Sequence, residues 1–444
     1  MLTRIEIDGF KTFEGFGLDL EPMTAIAGPN ASGKSNLFDA LRFLSLLAQH
    51  DIRTAMQGLR GEPEELFRRT SAGLSKYMKF AVEVFLGETG TDMFGTSFAT
   101  PARRLRYELK LVLLEKPDGL PRGVAVKEEK CVPLTRKGER SKAILDLNPS
   151  YTARKSAFIE TDETGEALLV RQDGPKRHGS PKKLPINEAS RTALSTVTTA
   201  EFPHLYALRD ALTGIRFLEI NPQAARKAND RFEDRVLKPD ASNLAAVLAH
   251  LKEKTATGQR PDGVLSDIAA DLASLIPSVT RLRVENDPGQ RQYSFNLEFV
   301  DDLTFSSRVI SDGTLRLLAL LTVLNDPDRR GTLCFEEPEN GVHEGRVPAL
   351  IDFLREAAGT PALPDSPSFQ ILLNTHSPKV LHSLRDREVV ASDSVYTIDP
   401  VAKLRAVRTR MRQYLPPGMS LFDPETHLTR REIETLLQKT LAAA

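Results

Sequence analysis

With 444 residues, the chain is longer than one compact core usually holds, and about two or three lobes are expected. Lysine plus arginine equals aspartate plus glutamate at 60 each, which excludes attraction of the whole molecule to nucleic acid and leaves only local patches to consider. Cys131 and Cys334 are too few for a disulfide framework, and the longest apolar stretch, residues 315–324, is about half of a bilayer span, so a cytoplasmic chain with no membrane contact is expected.

Leu2, Ile5 and Ile7 lead into GFKTF at residues 9–13, read as an opening strand and an aromatic turn. The apolar run MTAIA at residues 23–27 reads as a buried strand. Directly after it stand Gly28, Pro29, Asn30, Ala31, Ser32, Gly33, Lys34 and Ser35. This string fits the phosphate-loop template: Gly28 and Gly33 allow a tight curl in which successive N–H groups face phosphate oxygens. Lys34 is then placed to reach β- and γ-phosphates and to act in catalysis, and the Ser35 hydroxyl to ligate magnesium. From Asn36 to His50 a helix is expected, with Phe38, Leu41, Leu44 and Leu47 as its apolar stripe, so that its N-terminus faces the phosphates.

Further along, Phe80, Val82, Val84 and Leu86, then Leu105, Tyr107, Leu109, Leu111 and Leu113, alternate with polar residues. Period two argues for an antiparallel meander over residues 78–170, broken by polar loops at 87–104 and 136–155. Helical patterns follow at 243–254 and 264–276, with Asp240 or Ser242 and Asp262 as candidate caps. Residues 282–300 return to strand, with Tyr293, Phe295, Leu297 and Phe299 on one face.

Residues 309–321 read VISDGTLRLLALL, an apolar helix that Ser311 can cap. Thr332 to Phe335 form a short apolar strand ending in Glu336, Glu337 and Pro338, and strand ends of this kind are where α/β sheets place their chemistry. Side-chain alternation puts the two carboxylates on opposite sides: Glu336 is expected to hold magnesium and Glu337 to deprotonate the attacking water. One helix later, at about 344–358, a second apolar strand at 369–373 delivers Asn374, Thr375, His376, Ser377 and Pro378, and His376 is placed to sense a γ-phosphate. At the C-terminus, Ile433, Leu436, Leu437 and Leu441 share a helical face expected to dock on the core.

These motifs, in this order, resemble the ABC-type ATPases of the SMC, RecF and OLD group, and within it the stand-alone ATPases of bacterial defence and repair operons. The resemblance covers residues 1–50 and 300–385. It implies an α/β P-loop NTPase with an ABC-type ATPase head, an antiparallel β subdomain and an inserted helical lobe. The lobes would run 1–170 (phosphate loop and meander), 171–280 (mainly helical insert), 281–400 (signature, double glutamate and histidine switch) and 401–444 (tail). It implies ATP and Mg2+ as cofactors, with residues 28–36 on the nucleotide.

In this family the signature, here Ser311 and Gly313, meets the γ-phosphate held by the loop of a second copy, so a homodimer or higher oligomer is expected. Asn340, Gly341 and His343 resemble the segment that crosses that interface. Gln172 and Gln223 are candidates for the glutamine switch, which spacing alone does not rank. Long heptads are absent between loop and signature. The stretch after Pro378 is short, and Asp386, Asp393 and Asp399 form no Asp-x-Asp pair, so a TOPRIM-type nuclease would be a separate polypeptide.

The resulting expectation is an ATP-driven dimer that switches a DNA-linked or nuclease-linked assembly, with a separate effector as partner. A RecF-like DNA clamp without an effector is the alternative; a P-loop kinase would leave the signature and His376 without roles. DNA is a candidate partner through two basic patches, Arg171, Lys176, Arg177, Lys182 and Lys183, and Lys403, Arg405, Arg408, Arg410 and Arg412. Solvated edge charges are the plainer reading of both.

Overall fold

The computed structural model describes all residues except 71–72, 119, 142–143, 146–150, 153–155, 175–179, 360–368, 399–404, 415–422, 424 and 442–444. Two large sheets organise it. The first has eight antiparallel strands in the spatial order Lys182–Pro185, Ala167–Val170, Ile159–Thr161, Pro121–Pro133, Arg104–Glu115, Tyr77–Phe85, Leu2–Asp8 and Phe16–Asp19. This is the expected meander, with the N-terminal strand built in. The second has seven strands, in the order Ile215–Leu218, Gly331–Glu336, Phe369–Thr375, Met23–Ala27, Val389–Ile398, Arg405–Tyr414 and His427–Leu428. Its first five strands run parallel, and the sixth turns back antiparallel to the fifth.

The central parallel strands are covered on both faces, which is why they read as mostly apolar runs rather than alternating ones. Every residue of Met23–Ala27 and of Phe369–Thr375 is buried. Ile26, Cys334, Leu372 and Val390 point to a core shared with the eight-stranded sheet and the helices Lys34–Leu47 and Pro203–Thr213. Ala25, Ala27, Leu333, Phe335, Ile371 and Leu373 point to a second core under the helices Leu244–Thr255, Leu265–Leu275, Asp312–Leu324 and Val347–Ala357.

The loop helix Lys34–Leu47 is therefore sandwiched between the sheets. Phe43 on it stacks on Phe10 at 6.0 Å and meets Phe80 edge-on at 5.8 Å, and each such fully buried ring stabilises by roughly 1.5–3 kcal/mol. The residues expected as a mainly helical insert do supply the two helices Leu244–Thr255 and Leu265–Leu275. They also supply the strand Lys182–Pro185 to the antiparallel sheet and Ile215–Leu218 to the parallel one. A third, smaller sheet joins Val279–Asp287 and Gln292–Phe299 to the short strands Asn229–Asp230 and Thr304–Ser306. The caps differ from expectation: Asn243 and Val264 precede the two helices, without a side-chain cap bond.

The C-terminal helix Arg430–Leu441 docks as expected, with Ile433 1% exposed in the second core; the side chains of Leu437 and Leu441 lie outside the described residues. Both cysteines are free and buried. No described helix is long and apolar enough to cross a membrane. Among the described residues of the basic patches, Arg171 pairs with Glu160, Lys183 with Asp162, Arg408 with Glu425, Arg410 with Asp393 and Glu425, and Arg412 with Asp393, while Lys182 is exposed. Lys176, Arg177, Lys403 and the Arg405 side chain lie outside the described residues.

Candidate active site

Because strands Met23–Ala27, Gly331–Glu336 and Phe369–Thr375 are parallel, the phosphate loop, the glutamates and His376 emerge at one edge of the sheet. The loop curls through Ala31 at φ 60° and Gly33 at φ 92°, and Gly33 ends it as the N-cap of helix Lys34–Leu47 with no side chain capping the first turn. The N–H groups of that turn are free to meet an anion. Gly28 and Gly33 are required by close approach: a Cβ on Gly28 would sit 2.3 Å from the Ser392 carbonyl oxygen, and one on Gly33 1.9 Å from Thr409 Oγ1.

The hairpin Val389–Ile398 and Arg405–Tyr414 buttresses the loop from behind. Ser392 Oγ donates to the Ser32 carbonyl at 2.9 Å and Ser394 Oγ to that of Ala31 at 3.1 Å. Thr409 and Thr12 share a hydroxyl contact of 2.6 Å, and Asn36 Nδ2 donates to Thr12 Oγ1 at 2.8 Å. Asn36, expected on the nucleotide, is here part of this scaffold. Asn30 and Ala31 are exposed, Pro29, Gly33 and Ser35 half-buried.

Lys34 is buried, and its ammonium donates to the carbonyls of Gly28 and Pro29, each at 2.7 Å. Burial pulls its pKa down, while Glu337, Glu336 and Glu339 hold it up. All three carboxylates thus act on the loop lysine. Glu336 closes its strand, beside Asn374. The expected alternation of Glu336 and Glu337 does not hold, because the strand stops at Glu336 and Glu337 turns into the left-handed region at φ 49°. Its N–H donates to the Asn374 carbonyl at 3.0 Å, which fixes that turn. Such a conformation costs a non-glycine residue about 1–3 kcal/mol, and persists where the surroundings determine it.

Both carboxylate oxygens of Glu337 are held: Oε1 lies 3.0 Å from His376 Nδ1, and Oε2 accepts from Asn340 Nδ2 at 2.7 Å. Glu339, which the sequence reading passed over, accepts from Thr375 Oγ1 at 2.6 Å. Burial raises its pKa, against the Thr375 hydrogen bond, and its Oε2 is buried without a partner. Its only sequence signal is that it is the third acid of EEPEN.

Ser311 caps helix Asp312–Leu324, accepting from Thr314 N–H at 3.2 Å and contacting Thr314 Oγ1 at 2.8 Å. Those contacts stay within its own helix, and the residue is exposed. Gly313 packs backbone to backbone on Gly341: a Cβ on Gly313 would lie 2.8 Å from the Gly341 carbonyl oxygen. The loop after the glutamates is thereby joined to the signature. His343 instead caps a short turn, its Nδ1 accepting from Gly345 N–H at 3.2 Å.

Of the two glutamines, Gln223 lies just beyond strand Ile215–Leu218, at the edge that carries Glu336. Three residues on, Arg226 donates to the Ile310 carbonyl at 2.8 Å and pairs with Asp312. Gln172 sits beside the antiparallel sheet, its Nε2 donating to Glu201 at 3.3 Å. Only Gln223 of the two thus lies at the glutamate edge of the parallel sheet.

The donor set suits magnesium. Ser35 and Glu336 offer hard oxygens at the same edge of the parallel sheet, and Mg2+ is usually held by one or two protein groups together with substrate phosphates.

A protein-family model described as "AAA domain, putative AbiEii toxin, Type IV TA system" matches residues 23–382. The chromosome partition protein Smc of Methanocaldococcus jannaschii is 50% identical over 44 residues, which are 10% of this chain and 4% of that protein. Among solved structures, an SMC head bound to the C-terminal winged-helix domain of ScpA is 14% identical at a TM-score of 0.49, covering 93% of this chain and 98% of that one. The SMC head domain of Thermotoga maritima is 12% identical at a TM-score of 0.42, covering 94% and 99%. The family match spans the phosphate loop, the signature, the glutamates and His376, and agrees with the ABC-type ATPase reading. The chain belongs to the AAA-domain family of that description.

Proposed function

We propose that the chain is an ATP- and magnesium-dependent ABC-type ATPase that dimerises on ATP and switches a separate effector, nuclease-linked or DNA-linked, in bacterial defence. The observation that carries hydrolysis is the Glu337–His376 contact of 3.0 Å beside a buried loop lysine. Lys34 exchanges its two carbonyl bonds for phosphate oxygens when ATP enters. Glu337, oriented by Asn340 and His376, takes the proton of the attacking water. Ser35 and Glu336 would hold Mg2+, which would supply charge neutralisation at the phosphates.

Ser311 and Gly313 serve the pocket of a second copy; the exposure of Ser311 at the N-terminus of its helix supports this. The AbiEii toxin named in the family description supports a defence setting. Arg408, Arg410 and Arg412 share the carboxylates of Asp393 and Glu425, and this partial compensation favours the effector reading over a RecF-like clamp.

Glu337→Gln tests the reading. It should bind ATP normally and accumulate as a dimer by light scattering, while phosphate release falls about 100-fold or more, the usual contribution of a general base. Phosphate release at the wild-type rate would remove Glu337 from the mechanism.

A further inference from the structure

At the sheet edge opposite the phosphate loop, where strands Ile215–Leu218 and Gly331–Glu336 begin, lies a pocket of about 890 Å³. That is the size of a small-molecule site. Arg216, Arg235, His250, Lys254, Asp326 and Arg330 supply most of its polar lining, with Val236 and Leu251 as apolar wall.

Two of its three acids are engaged, Asp328 pairing with Lys254 and Asp326 Oδ1 accepting the Asp328 backbone N–H at 2.9 Å, while Glu253 stands exposed at the rim, so cations still outnumber carboxylates in the lining. Among the described residues, Arg216, Arg235 and Arg330 have no carboxylate within ion-pair distance. Arg216 Nη2 donates instead to the Arg330 carbonyl at 2.9 Å, which holds two cationic residues side by side. Burial lowers the pKa of Arg216, with Arg330 adding to the effect and Asp326 opposing it. Burial lowers that of His250, with Arg235 and Lys254 adding to the effect and Glu253 and Asp326 opposing it. A cluster of cations that disfavour one another's charge, in a recess of this size, is relieved by an anion that accepts several N–H donors at once.

We propose that this pocket binds a small polyanion of the polyphosphate class, inorganic or carried on a nucleoside, at a site separate from the phosphate loop. A compact, multiply charged end group fits the recess. The backbone of a duplex lying across the surface would also meet Glu253, Asp326 and Asp328.

The test is calorimetric titration of tripolyphosphate, and separately of ATP, into the full chain carrying Lys34→Ala. Saturable binding is expected, weakened about 10-fold or more when Arg235→Ala and Arg330→Ala are added, as loss of charge-assisted phosphate contacts requires. Both arginines are exposed, so the fold is retained, and Arg216→Gln is the second variant, with the same expected loss. Equal affinities assign an inorganic ligand and tighter ATP a nucleoside one; either supports the proposal. No binding of either probe, affinity unchanged in both variants, or arginine-dependent binding of short duplex DNA without binding of tripolyphosphate would overturn it.

Discussion

Glu129 is fully buried in the antiparallel sheet, where its carboxylate accepts from the N–H groups of Ala193 at 2.6 Å and Leu194 at 2.9 Å, and from the Tyr107 hydroxyl at 3.0 Å. Burial pushes its pKa from 4.5 up to about 7, although all three bonds act the other way. The folded chain therefore holds a proton that the unfolded chain releases between those values, and stability contributed here falls as pH rises from about 4.5 to about 7. Glu129→Gln should flatten the dependence of the urea midpoint on pH between 5 and 8; an unchanged slope would reject the assignment. The turn that Glu129 holds matters to the site, since Thr192 Oγ1 donates to the Leu47 carbonyl at the far end of the loop helix, at 3.0 Å. Simple alternation could not have found this residue. Val124 and Val126 set a face that Glu128 and Lys130 should continue, but the register shifts between Val126 and Glu128, and that bulge brings Glu129 and Cys131 inward instead.

Two elements meet at Gly313 and Gly341: the start of the signature helix and the loop that carries Glu337 and Asn340. Gly341 has φ 89°, and a Cβ there would lie 2.6 Å from the Gly313 Cα. Gly341→Ala should cost about 1–3 kcal/mol from backbone strain, with the steric clash added. It should also lower phosphate release by displacing Asn340, with ATP affinity little changed. Gly15→Ala is the control, because Gly15 has φ 53° and nothing within 4 Å of its Cβ, so it carries strain alone. Equal loss of activity in both variants would count against the joint. The phosphate loop, the glutamate strand and the histidine strand were legible because each is a local string with its own turn chemistry. The buttress behind the loop was not, because Ser392 and Thr409 are ordinary strand residues whose meaning comes from contacts with Ser32 and Thr12, hundreds of positions away. For the same reason Ile215–Leu218 passed as part of a helical stretch: four residues carry too little pattern to announce a seat beside Gly331–Glu336.

At the scale of the molecule, the proposed dimer around ATP makes a prediction that no single-copy mechanism shares. If each pocket combines the loop of one copy with the signature of the other, Lys34→Ala and Ser311→Arg disable different halves. Each variant alone forms only dead pockets. In a mixed dimer, the loop of the Ser311→Arg copy faces the intact signature of the Lys34→Ala copy, and that pocket is whole, while the second pocket carries both lesions. Random mixing in equal amounts puts half the dimers in this state, so about a quarter of wild-type phosphate release should return under two-fold symmetry. The return should depend on protein concentration and require ATP. Inactivity at every mixing ratio, with both variants folded and the Ser311→Arg chain still binding ATP, would take Ser311 out of the partner's pocket and leave each chain to work on its own nucleotide.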